Sequence, residues 1–121
     1  MKDGFISVAV GTPQIHVADC DYNAQSIIAL MREAAGKNVK LLVLPELCVT
    51  GYTCADLFLQ NTLIDAAAAS LEKIIAESRG MDMLVMVGLP VSDHGRLYNC
   101  VAAVKSGALL ALIPKRFIPN Y

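Results

Sequence analysis

Val39-Lys40-Leu41-Leu42-Val43-Leu44-Pro45-Glu46 is the stretch on which the fold turns. Its first six residues are short and almost wholly apolar, and they read as a buried strand. Pro45 ends that strand, since it donates no hydrogen bond and restricts the residue before it. Glu46 then sets a carboxylate at the strand's C-terminal end. In open α/β sheets that end is the functional edge.

Upstream, Phe5 to Val10 is a second apolar run rich in β-branched residues, closed by Gly11-Thr12-Pro13. Between the two strands, Ile27, Ile28, Met31, Ala34 and Ala35 recur at helical spacing. Asp21 or Asn23 is expected to cap this helix near Ala24, and Gly36 with Lys37 to stop it. Strand, helix and strand in this order predict a βαβ unit with a parallel pair.

Downstream, residues 50–56 read as a polar loop. A helix is expected from a cap at Asn61 or Thr62, with Leu63, Ile64, Ala67, Leu71, Ile74 and Ile75 on one stripe and Arg79-Gly80 closing it. Met83 to Gly88 is a third short apolar strand, followed by a turn-rich stretch from Pro90 to Arg96. Leu97 to Val104 and Ala108 to Ile113 flank Lys105-Ser106-Gly107 and predict an antiparallel hairpin. The class is α/β, parallel early and antiparallel late.

The 121 residues suffice for one core, yet 55% are hydrophobic and only 17% charged. A soluble domain carries about a quarter charged residues. The surplus of apolar side chains implies a partner surface or a larger core. The net charge is −1 and no basic stripe is present, which argues against nucleic acid. No apolar run reaches the roughly 18 residues of a membrane helix, and the N-terminus has no signal-peptide layout. A cytoplasmic location is expected, with reduced thiols. Cys20, Cys48, Cys54 and Cys100 match no zinc spacing and read as buried packing residues. His16 and His94 lack a partner in the pattern, and no metal site is expected.

Two positions can carry chemistry. Glu46 reads either as a solvated loop acid or as a general base whose partial desolvation raises its pKa. Lys115, in Ile113-Pro114-Lys115, reads either as a surface lysine or as a cation for an oxyanion. Each follows a strand and a proline. If their strands are neighbours, base and cation meet at one edge, and an acyl-transfer site would need a nucleophile between them.

Leu44-Pro-Glu-Leu-Cys-Val-Thr-Gly-Tyr52 resembles the glutamate motif of the nitrilase superfamily of carbon–nitrogen hydrolases. Ile113-Pro-Lys-Arg-Phe-Ile-Pro-Asn-Tyr121 resembles its lysine motif, and Gly95-Arg-Leu-Tyr-Asn-Cys-Val-Ala-Ala103 the strand before that lysine. Order and spacing of all three fit, and the resemblance spans essentially the whole chain. Within the superfamily, Thr50 to Phe58 and Leu97-Tyr-Asn-Cys are most similar to the glutaminase domain of glutamine-dependent NAD synthetases.

The resemblance implies the N-terminal part of a four-layer α-β-β-α sandwich, with residues 1–121 as a partial hydrolase domain. It implies Glu46 as general base, Lys115 as stabiliser of the tetrahedral intermediate, and Tyr52 and Tyr121 as glutamine-pocket residues. The family's nucleophilic cysteine lies downstream of the lysine motif, and none of the four cysteines inherits it. The chain alone is therefore expected to be inactive. A synthetase domain using ATP and Mg to convert deamido-NAD to NAD is expected beyond it, as is a homo-oligomer. The alternatives are another superfamily amidase (an ω-amidase or a carbamoyl-amine amidohydrolase), a non-catalytic assembly module, or a flavodoxin-like ligand-binding domain.

Overall fold

A computed structural model describes residues 3–117. In chain order these form β1 (Val8–Val10), α1 (Cys20–Gly36), β2 (Leu41–Val43), a 3-10 turn (Ala55–Leu59), α2 (Asn61–Glu77), β3 (Leu84–Asp93), β4 (Arg96–Lys105) and β5 (Ala108–Pro114). The five strands make one sheet in sequential order, β1-β2-β3 parallel and β3-β4-β5 antiparallel. The expected βαβ unit and late hairpin are both present.

Both helices cover one face of the sheet. Cys20, Ala24, Ile27, Met31 and Ala34 recur every three or four residues on α1, and Leu63, Ala67, Leu71 and Ile74 do so on α2. They pack on Leu42, Val85, Val87, Leu89, Ala102 and Val104, the alternate residues of three strands. The intervening residues face the other way. Val8, Val10, Val43 and Ile113 stay 60%, 84%, 38% and 50% exposed there. One sheet face is thus solvated although it is apolar. That accounts for the surplus of hydrophobic residues in the composition, and it matches one helix layer and one sheet layer of the expected sandwich.

Several boundaries differ from the sequence reading. Helix α1 begins at Cys20, not near Ala24, because Asp19 is the cap and its carboxylate accepts the amide of Tyr22 at 3.1 Å. Asp21 instead accepts Lys73 Nζ at 3.0 Å and joins the two helices. Asn23 is fully buried and serves a loop, as described below. Gln60 occupies the cap position of α2 without a side-chain bond, so neither Asn61 nor Thr62 caps it. The expected polar loop ends in the 3-10 turn. Strands β1 and β2 are three residues each, shorter than the apolar runs that contain them.

The largest difference is at Pro90. The stretch read as a turn is strand, and the reversal is confined to His94-Gly95, whose φ values of +49° and +77° suit a two-residue hairpin turn. Counting back from the Asp93–Arg96 pair, Pro90 faces Asn99 in a non-hydrogen-bonded position. The N–H that proline lacks would point away from β4, where β2 has already ended. Proline therefore costs this ladder nothing.

Candidate functional site

Gly88 sits on the open face of the sheet, in line with Leu84 and Met86. A Cβ built on it would lie 2.6 Å from the Pro45 carbonyl oxygen and 2.5 Å from the Leu47 amide nitrogen. The backbone that follows β2 therefore crosses directly over β3, and only glycine permits that approach. The crossing is stitched at both ends. Leu44 N–H donates to Met86 O at 3.1 Å, and Val49 N–H donates to Gly88 O at 3.1 Å. Between them the chain turns through Leu47, buried and left-handed at φ +55°, whose carbonyl accepts the amides of Thr50 and Gly51.

The turn is also held from the helix side. Asn23 Oδ1 accepts His16 N–H at 2.7 Å, and its Nδ2 donates to His16 O at 2.8 Å and Val49 O at 2.9 Å. One buried amide thus ties the loop before α1 to the loop after β2, with both its N–H groups and its oxygen bonded to backbone. His16 has a structural place here, its ring stacked on Tyr22 at 3.6 Å between centroids.

This geometry projects Glu46 across the open face. Its Oε1 accepts Lys115 Nζ at 2.7 Å and Asn99 Nδ2 at 2.5 Å. Among the described residues no donor reaches Oε2. Asn99 lies on β4, and its carbonyl accepts the Lys115 amide at 2.7 Å, which fixes where the lysine leaves β5. The three residues line an open depression of about 320 Å³ with Val101, Ile113 and Pro114. A larger depression of about 440 Å³ lies on the helix face, between α2 and strands β3 and β5. Asp65 and Glu72 line it with no cation among the lining residues, so the carboxylate–lysine chemistry places the site on the open face.

Two expectations change. The strands of Glu46 and Lys115 are not neighbours, since β3 and β4 separate them. The pair forms because the turn after β2 reaches over Gly88. Nor is the Glu46 carboxyl raised. Its side chain is 38% exposed, and the hydrogen bond from Lys115 holds it below the usual glutamate range. Partial desolvation works against this, while the Asn99 amide and the lysine charge add to it.

Tyr52 is about half exposed in the turn after Gly51. Tyr121 lies outside the described residues. The four cysteines are free and buried. Cys48 is two residues from Glu46, yet its Sγ turns back to Gly88 O at 3.6 Å, and burial pushes its thiol up to about 11. Burial does the same to Cys20, also to about 11. Cys100 adjoins Asn99 on β4, so strand alternation turns it to the opposite face. No group of three metal-binding side chains occurs among the described residues. Asn99 is the member of the site that residue-by-residue reading missed. Its signal was its place two residues beyond Leu97 in the motif before the lysine.

Residues 7–116 match the carbon-nitrogen hydrolase family. The chain is 33% identical over 120 residues to the glutamine-dependent NAD(+) synthetase of Mycobacterium tuberculosis, covering 99% of this chain and 18% of that protein. It is 32% identical over 123 residues to that of Acinetobacter baylyi, covering 100% of this chain and 22% of the relative. The chain thus spans about a fifth of the length of these relatives. The glutamine-dependent NAD(+) synthetase of Cytophaga hutchinsonii superposes with a TM-score of 0.84 at 35% identity, over 92% of this chain and 19% of that one. An amidase from Nesterenkonia sp. AN1 shares the fold at a TM-score of 0.79 and 18% identity, over 98% of this chain and 46% of that one. With its glutamate turn and lysine strand inside the matched span, the chain belongs to the carbon-nitrogen hydrolase family.

Proposed function

We propose that residues 1–121 are the N-terminal part of a glutaminase domain, in which Glu46 and Lys115 serve a cysteine supplied by sequence outside these residues. The observation that carries this reading is the Glu46–Lys115 pair at 2.7 Å on the open sheet face. It brings an acceptor and a cation together from positions 69 apart in sequence.

In this reading Glu46, ionised at neutral pH, takes the proton of the incoming thiol. The thiolate attacks the side-chain amide carbon of glutamine, and Lys115 Nζ stabilises the oxyanion of the tetrahedral intermediate. Glu46 returns that proton to the leaving nitrogen, ammonia departs and a glutamyl thioester forms. Water, giving its proton to Glu46, then hydrolyses the thioester to glutamate, and the thiol is restored. Tyr52, exposed in the turn after Gly51, serves the glutamine pocket in this reading. Covering the open face desolvates Glu46 further, which works against the lowering by Lys115 and makes the carboxylate more basic.

The ammonia then serves conversion of deamido-NAD to NAD in a synthetase domain. ATP and Mg belong to that domain. Among the described residues no group of three His, Cys, Asp or Glu side chains could hold a metal ion. Assembly into a homo-oligomer belongs to the same proposal.

The test is glutamine hydrolysis by the full-length protein, read as glutamate release, with NAD formation from deamido-NAD as a second readout. Glu46→Gln and Lys115→Met each lower hydrolysis by about 100-fold or more, while NAD formation from added ammonium salt persists. Wild-type glutamine hydrolysis in Glu46→Gln overturns the catalytic reading. Hydrolysis without NAD formation in the wild type leaves a different amidase of the family.

A further inference from the structure

Asn99 makes two contacts that no other described residue combines. Its side chain donates to Glu46 Oε1, and its main-chain carbonyl accepts the Lys115 amide. The direction of the side-chain bond follows from chemistry: an ionised carboxylate only accepts, so the amide must present Nδ2 to it. Lys115 Nζ occupies the same oxygen. Two donors therefore converge on Oε1, while Oε2 meets none among the described residues.

The placement is fixed by strand geometry. Asn99 stands opposite Pro90, in a pair whose main-chain groups face away from each other. Its backbone is thereby free to bind β5 at Lys115. Its side chain projects on the open face, toward the turn that Gly88 admits. Glu46 sits on a loop, and among the described residues Lys115 alone would restrain its carboxylate without Asn99.

We propose that Asn99 is a positioning residue of the site, which commits Oε1 of Glu46 and leaves Oε2 as the oxygen that receives a proton. This rests on the glutaminase reading of Glu46. Asn99 touches neither substrate nor nucleophile in the proposal; it acts through the carboxylate. Lacking its amide, the carboxylate loses one of the bonds that favour its charged form, and its pKa rises.

The experiment compares wild type, Asn99→Ala and Asn99→Asp as full-length proteins, with kcat/KM for glutamine measured across pH. Asn99→Asp keeps the shape of the residue and covers the case in which Asn99→Ala folds poorly. Both variants are expected to lose about 10-fold or more in kcat/KM. The acid limb of the profile moves to higher pH in both, further for the aspartate, which adds a like charge. A loss that is uniform across pH, with the acid limb unmoved, overturns the proposal and reduces Asn99 to a strand residue. Wild-type rate and profile in a folded Asn99→Asp overturn it as well. Glu46→Gln is run in parallel: if that variant hydrolyses glutamine normally, it is the glutaminase reading that has failed, whatever Asn99 does.

Discussion

The ammonium of Lys115 lies 2.7 Å from the carboxylate of Glu46, although two strands separate β2 from β5. Neighbouring strands lie about 4.8 Å apart, so the distance is closed by the turn that carries Glu46 over β3.

Gly88 is the floor of the crossing. An added methyl meets backbone atoms at 2.5 and 2.6 Å, not the yielding end of a side chain. Gly88→Ala should therefore destabilise the protein by about 1–3 kcal/mol, as overpacking does, and displace Glu46 from Lys115. Urea unfolding measures the first effect. A variant as stable as wild type would mean that the turn is free to lift.

Asn23 is the clamp behind it. Replacing it by alanine leaves the His16 amide and the Val49 carbonyl without their buried partner. The cost expected is about 1–3 kcal/mol. Amide hydrogen exchange should show faster exchange at residues 47–51 than elsewhere in the sheet. Unchanged protection there would make Asn23 a residue of α1 alone.

The Glu46 carboxyl should titrate below the ordinary glutamate value of about 4.3, and Lys115→Met should move it up. The sign for stability follows. The folded pKa is depressed, so the unfolded chain binds more protons between the two values. The stabilisation is complete above the unfolded pKa and is lost as pH falls through the folded one. With both side chains more than a third exposed, it is small and screened by salt. Carboxylate NMR against pH reads the shift directly, and identical curves for the two proteins would contradict the pair.

The thiols of Cys20 and Cys48 should resist alkylation. At pH 7 a thiol with a pKa of about 11 is ionised to roughly one part in ten thousand. Iodoacetamide should label neither in the native protein, and both after unfolding in urea. Rapid labelling of Cys48 in the native state would reopen it as a nucleophile.

Local signals in the sequence determined much of this. Periodicity marked both helices, because their buried positions must repeat every three or four residues to meet a flat sheet. Short apolar runs marked the five strands, and the tight turn at Lys105-Ser106-Gly107 marked the hairpin, although β4 extends through Lys105 and leaves only Ser106-Gly107 between the strands. The motifs around Glu46 and Lys115 named the family and the pair. The limits of elements were less legible. Phe5 and Ile6 are as apolar as Val8, yet β1 is an edge strand and its pairing with β2 covers only Val8–Val10. Pro90 reads as a breaker anywhere in a sequence, and only its register opposite Asn99, beyond the end of β2, makes it harmless.

What tertiary structure alone decided is the site's geometry. No pattern in the sequence places Asn99 beside Glu46, or Asn23 behind Val49, because those contacts join residues 53 and 26 positions apart. Nor does it give the sign of the Glu46 shift, which depends on whether a cation or an apolar wall comes nearest. Sequence fixes which groups are available to a sheet edge; the crossing of one backbone over a glycine decides which of them meet.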